Sequence, residues 1–152
     1  MRKILLFSLI ALLFAACHRE ITPKSLAEME QNMREINADN DSTKIKAAQK
    51  DLIEAYLAYS QKHTDAIETP DYLFKAAGLT EIVDKKSANT VKILEQISQK
   101  YPDSERAAQA LYRLAIMYEN NIKDTVVAKQ YYRELVEKYP SHPLAISVIS
   151  RR

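Results

Sequence analysis

The stretch SQKHTD at residues 60–65 returns 38 residues later as SQKYPD at 98–103, and a looser copy, VEKYPS, stands another 38 residues on at 136–141. The same offset aligns Tyr59 with Ile97 and Leu135, and Tyr56 with Leu94 and Tyr132. It also aligns Leu73 with Leu111, Phe74 with Tyr112, and Ala77 with Ala115. The echo thus reaches past the hexamers into apolar positions at helical spacing. A period of this length made of helix pairs reads as a solenoid, because each pair hides its apolar face only by stacking on the next.

Composition narrows the class further. A single Gly in 152 residues leaves little positive-φ capacity for glycine-rich phosphate loops or hairpin-rich β architecture. Ala, Leu, Lys, Glu and Gln abound, and all are good helix formers. With 28% charged and 47% hydrophobic residues the chain is globular and not disordered. The expected fold is an all-α superhelix of antiparallel helix pairs.

Caps and breakers place the helices. Thr22 can cap and Pro23 suits a first turn, so a helix is expected from Lys24 to about Ile36, with Leu26, Met29, Met33 and Ile36 on its apolar face. NADNDS at 37–42 is turn chemistry. Its Asn40-Asp41-Ser42 also matches a glycosylation sequon, but capping and turn formation account for it better. Further helices are expected over 43–62, 69–84 and 86–100. Pro102 then breaks the chain, and Asp103 or Ser104 caps a helix to about Tyr118. ENNIKD at 119–124 turns the chain. Asp124 or Thr125 starts a helix ending near Tyr139, and Leu144–Ser150 forms a last short one beyond Pro140 and Pro143.

The N-terminus does not belong to that fold. Arg2 and Lys3 precede an apolar run, Ile4 to Phe14, too short to span a bilayer as a helix. Ala15 and Ala16 then lead to Cys17, the only cysteine. Residues 1–16 read as a secretory signal peptide. LLFAAC further resembles the lipobox of bacterial lipoproteins, with the bulkier Phe14 where Leu is usual. The resemblance implies cleavage before Cys17, a diacylglycerol thioether on its sulfur and acylation of its amino group. A plain signal peptide with an incidental Cys is the alternative, disfavoured by the position of Cys17 directly after the two alanines. More than one acyl chain gives a stable hold on a membrane. Residues 17–24 then form a lipidated tether, and 25–152 the repeat domain. Loss of residues 1–16 lowers the basic count from 22 to 20, against 20 acidic residues. A net charge near zero argues against nucleic acid as a partner.

LYRLAIMY, with Leu111, Leu114, Ala115 and Tyr118, resembles the first helix of a tetratricopeptide repeat. Ala128, Tyr132 and Pro140 resemble its second helix and closing proline. The 38-residue spacing exceeds the family's usual 34, and the excess is expected in turns, where insertion costs least. The preceding unit (Leu73, Ala76, Ala77, Leu94, Pro102) has Thr80 in place of the family's Tyr, and the earliest copy ends in His63-Thr64 in place of Tyr-Pro. Repeats with a YPDS-like corner resemble those of bacterial envelope lipoproteins, among them the lipoprotein component of the outer-membrane β-barrel assembly machinery. A periplasmic cell-division coordinator working with the Tol–Pal system has similar ones.

No catalytic pattern emerges. His18, His63 and His142 are scattered, and a metal site from the latter two would need carboxylates from distant segments. His63 instead replaces Tyr101 at a corner. Cys17 is consumed by acylation, no Ser sits in a strand–turn–helix elbow, and Glu134 with Lys138 is an ordinary surface pair. No cofactor, metal site or enzymatic activity is expected. Tyr56, Tyr59, Tyr118, Tyr131, Tyr132 and Tyr139 are expected to pack between helices.

The tetratricopeptide resemblance also implies a concave groove on the first-helix face, which takes extended peptides or partner segments. Carried over by position, its candidates are Gln109, Tyr112, Ile116, Glu119 and Asn120, preceded by Asp71, Phe74, Gly78 and Glu81. Gly78 falls mid-helix, where close approach of a partner backbone or simple tolerance would explain it. The implied function is a lipid-anchored scaffold or adaptor binding proteins of the bacterial cell envelope, in the direction of outer-membrane protein assembly. A homo-oligomeric spacer or a Tol–Pal-linked coordinator are the alternatives; the apolar LAISVI segment at the last helix favours the spacer in part. In the lipoprotein family Asp after the Cys favours inner-membrane retention, so His18 points to the outer membrane, facing the periplasm.

Overall fold

One corner, built three times, sets the architecture. In the computed structural model, which describes residues 20–150, the helices are α1 (Pro23–Asp39), α2 (Ser42–Lys62), α3 (Thr69–Val83), α4 (Ala88–Lys100), α5 (Glu105–Ile116), α6 (Thr125–Lys138) and α7 (Pro143–Ile149). The ends of α2, α4 and α6 fall at His63, Tyr101 and Tyr139, each 38 residues from the last. Their backbones are nearly superposable: φ/ψ −121/59, −126/52 and −130/55. Each donates its N–H four residues back, to Tyr59, Ile97 and Leu135 at 2.9, 3.0 and 2.9 Å. Each then accepts from Ala66, Ser104 and His142, at 3.2, 3.0 and 3.0 Å. His63 thus takes the place of the tyrosines without altering the turn.

The caps follow the sequence closely. Thr22 and Ser25 form a reciprocal capping box on α1, and Asp41 accepts from the amides of Thr43 and Lys44 to start α2. Of the two pairs left open, Ser104 caps α5 and Asp124 caps α6. Each such cap satisfies amides that the helix itself cannot pair.

α4 starts at Ala88, two residues later than expected, and two further boundaries differ from expectation. α1 runs on to Asp39 and ends at Asn40, whose φ of 56° is left-handed, so the turn chemistry of 37–42 is compressed into its second half. Asn is among the few side chains that tolerate this region. Residues 119–124 were expected to turn the chain, yet Met117–Ile122 continue α5 as a π-helical segment. A π turn absorbs an extra residue inside a helix, so part of the excess over 34 lies within α5 and not in a loop. The segment closes at Lys123, φ 70°, whose N–H bonds the Tyr118 carbonyl.

Each helix packs antiparallel on its sequence neighbours. In addition α3 packs on α5 and α5 on α7, whereas the backbones of α2, α4 and α6 stay apart, with the Tyr131 hydroxyl of α6 reaching Glu95 of α4. The odd helices therefore form the inner layer and the even helices fan out behind them, as in a tetratricopeptide-like α-solenoid. Equivalent positions share burial: Tyr59, Ile97 and Leu135 are all buried, as are Leu73 with Leu111 and Ala77 with Ala115. The alanines allow the close approach of helix backbones. α5 joins the two parts of the core, giving Ala110 and Leu114 to the first and Ala108 and Leu111 to the second. Truncating a buried Leu such as Leu94 or Leu111 to Ala costs about 2–5 kcal/mol in sites of this kind.

The tyrosines pack between helices as expected. Tyr118 stacks on Tyr131 at 5.5 Å and Tyr112 meets Tyr132 edge-on at 6.1 Å. Tyr72, not singled out by the periodicity, completes a cluster with Tyr56 and Tyr59. No described helix is long and apolar enough to cross a membrane.

Candidate functional site

On α5, Leu111 points into the core, so its neighbour Tyr112 turns to the inner face. Phe74 does the same one repeat earlier, beside buried Leu73. With Gln109, Arg113 and Ile116 from α5, and His142, Pro143 and Leu144 from the last corner, these two aromatics line a cleft of about 770 Å³. That volume is within the usual range of binding clefts.

A set of ion pairs crosses the inner layer. Arg106 of α5 bonds Asp71 of α3 at 2.5 Å and also donates to Gln109 at 2.5 Å. Arg113 donates to Glu81 at 2.7 Å. Phe74 lies between them, with the guanidinium carbons 5.2 and 5.4 Å from its ring centroid. Both arginines are thus held by a carboxylate and an aromatic face together, which fixes them before any ligand arrives. One repeat earlier Lys75 of α3 bonds Glu30 of α1 at 2.7 Å, and the Tyr56 hydroxyl donates to the same carboxylate at 2.7 Å.

These contacts shift the groups concerned. Burial alone would push the Glu30 carboxyl up, but bonds from Lys75 and Tyr56, with the charges of Lys75 and Arg34, outweigh it and hold it below its usual value. Burial, followed by the Glu30 carboxylate, pushes the Tyr56 phenol well above its usual range. Tyr131 is raised for the same reasons, burial first and then the bond it donates to Glu95. Among the described residues no group of three or more His, Cys, Asp or Glu side chains could hold a metal ion.

The sequence candidates separate into three sets. Phe74, Gln109, Tyr112 and Ile116 meet in the cleft. Gly78 lines an adjoining recess of about 390 Å³ that shares Arg113. A Cβ on Gly78 would stand 3.5 Å from the Arg113 guanidinium, an ordinary contact, so tolerance accounts for this glycine. Asp71 and Glu81 are engaged by the arginines, and Asp71 lines a separate recess at the 64–71 and 100–106 corners. Glu119 accepts from the Tyr132 hydroxyl at 2.9 Å, and neither it nor Asn120 lines the cleft, because the wider π turn displaces them from the face that regular helix would give. Cys17 lies outside the described residues.

Arg106, Arg113, Lys75 and His142 were missed. For the two arginines a signal was present, since Asp71–Arg106 and Glu81–Arg113 are opposite charges 35 and 32 residues apart, close to one repeat, on consecutive inner helices.

Stacked helical hairpins with an aromatic cleft on the inner layer define a helical-repeat interaction scaffold. Residues 109–142 match the tetratricopeptide repeat family, from within α5 through the π segment and α6 to the third corner. Repeats of this family mediate protein–protein interaction and typically serve as non-catalytic scaffolds. No curated protein matches the chain.

Proposed function

We propose that this chain is a lipid-anchored adaptor of the bacterial cell envelope that holds a segment of a partner protein in the cleft between α3, α5 and α7. One observation carries the reading. Phe74 and Tyr112, equivalent residues of successive repeats, converge with Ile116 on one cleft of the inner layer. Apolar contact with these side chains supplies affinity, and the amide of Gln109 and the ring of His142 supply polar partners. The arginines are already neutralised by Asp71 and Glu81, so the cleft favours an apolar segment over an acidic one.

The lipobox-like LLFAAC motif supports acylation at Cys17, and His18 after it supports placement in the outer membrane, facing the periplasm. The anchor would raise the effective concentration of the scaffold beside membrane-bound partners. Outer-membrane protein assembly is the pathway the corner motif favours. Ile146 and Ile149 of α7 are half exposed, which favours, as a second reading, a spacer in which copies stack end to end; concentration-dependent sedimentation tests it.

A photo-crosslinking residue at position 112, compared with one at Arg133 on the outer layer, tests the adaptor in cells. Capture of a barrel-assembly component from position 112 alone supports the assembly reading. Peptidoglycan synthases or Tol–Pal proteins would replace it with the coordinator. Equal yield from both positions would contradict a cleft adaptor. Fatty-acid labelling that survives Cys17→Ser would contradict the anchor.

A further inference from the structure

A second groove lies on the opposite layer. α2 and α4 each pack on α3 but not on each other. Between them runs a trough of about 970 Å³ whose apolar floor comes from Ile45, Ile53, Leu57, Ile82, Val83 and Ile93. Ile82 and Val83, at the end of α3, are 67% and 65% exposed. Side chains of this kind, grouped and uncovered, mark an interaction surface more often than a free one.

The rim says what covers it. Lys46 and Lys50 stand on the α2 wall and Lys92 on the α4 wall. Lys50 has Glu54 at 3.8 Å, whereas Lys46 and Lys92 make no ion pair with the described residues. Among the described residues Glu54 is the one carboxylate lining the trough. Lys85 and Lys86 follow in the α3–α4 turn, where the Asp84 carboxylate is turned to the Lys86 backbone amide at 2.9 Å. On α3 and α5, by contrast, Lys75, Arg106 and Arg113 each have a carboxylate partner.

We propose that this trough is a second docking site, which takes an acidic amphipathic helix from a partner protein. An apolar stripe at i, i+3, i+4 and i+7 would lie on Ile53, Leu57, Ile82 and Val83, with Glu or Asp on its flanks meeting Lys46 and Lys92. Two walls with a floor between them fit a cylinder, which favours a helix over the flat surface of a bilayer. The trough shares no lining residue with the inner cleft, although Ile82 also borders the recess beside that cleft.

The test uses the full chain and a labelled peptide of four helical turns with Leu on one face and Glu elsewhere. Its counterpart carries Lys in place of Glu, and phosphatidylglycerol vesicles serve as a third probe. The acidic peptide should bind, the basic one should not, and Ile82→Glu and Lys46→Glu/Lys92→Glu should each weaken binding about tenfold or more. These side chains are exposed, so unchanged thermal melting of the variants shows that the fold is intact. Equal binding of both peptides, no binding, or binding indifferent to the substitutions would overturn the proposal. So would vesicle binding, or self-association in sedimentation, that the same substitutions abolish while the peptide fails to bind.

Discussion

Arg113 Nε lies 2.7 Å from Glu81 Oε2 across the α3–α5 boundary, with the two side chains 30% and 20% exposed. The same guanidinium faces Phe74 and borders both recesses of the inner layer. This pair therefore fixes one wall of the cleft. Because both groups keep some solvent, its screened contribution is modest, about 1 kcal/mol or less. A double-mutant cycle with Glu81→Gln and Arg113→Gln, followed by denaturant unfolding, should return a coupling of that size. Additive effects would show that the pair does not brace the two repeats.

Gly78→Ala should stabilise the protein by about 1 kcal/mol, because Gly in a helix interior is that much poorer than Ala. The new methyl meets the Arg113 guanidinium at an ordinary 3.5 Å. Denaturant midpoints check this, and a loss of stability would mean that Arg113 cannot keep its bond to Glu81 beside a methyl group.

Much of this was legible in the sequence for a physical reason. The repeat registers packing that recurs, so Tyr59, Ile97 and Leu135 announced their common burial and their common corner, and Leu73 and Leu111 announced the face behind which Phe74 and Tyr112 lie. What escaped was of two kinds. The π segment depends on how α5 absorbs an extra residue between fixed neighbours, and nothing in MYENNI distinguishes that from a turn. It moved Glu119 and Asn120 off the predicted face. Arg106 and Arg113 escaped because charge at a helix surface is ordinarily solvated, and only the assembled layer brings Asp71 and Glu81 opposite.

Lys123 holds a left-handed φ of 70°, which costs a residue with a Cβ about 1–2 kcal/mol. Lys123→Gly should therefore gain stability, to an extent trimmed by the greater freedom of glycine in the unfolded chain. A thermal melt above that of the parent is the expected outcome. A lower one would mean that the lysine side chain contributes more to the end of the π segment than its backbone costs.

Acid should weaken the fold in part through Glu30. Its carboxyl is held below the value of 4.5 that it has when free, so the folded state binds its proton less tightly than the unfolded state does. The resulting stabilisation is present above pH 4.5 and is lost as pH falls through the lower folded value. Glu30→Gln should be less stable than the parent at neutral pH, with the difference shrinking on acidification. A difference that holds constant into acid would show that the carboxylate charge contributes nothing there.

The central claim is that a partner segment sits on the inner layer against Phe74, Tyr112 and Ile116. It is tested most directly by titrating the segment captured from position 112 against the parent chain, Ile116→Glu and Lys46→Glu, with equal melting temperatures as the control for folding. Affinity should fall about tenfold or more with Ile116→Glu and stay unchanged with Lys46→Glu on the outer layer. Undiminished binding by Ile116→Glu would contradict the account.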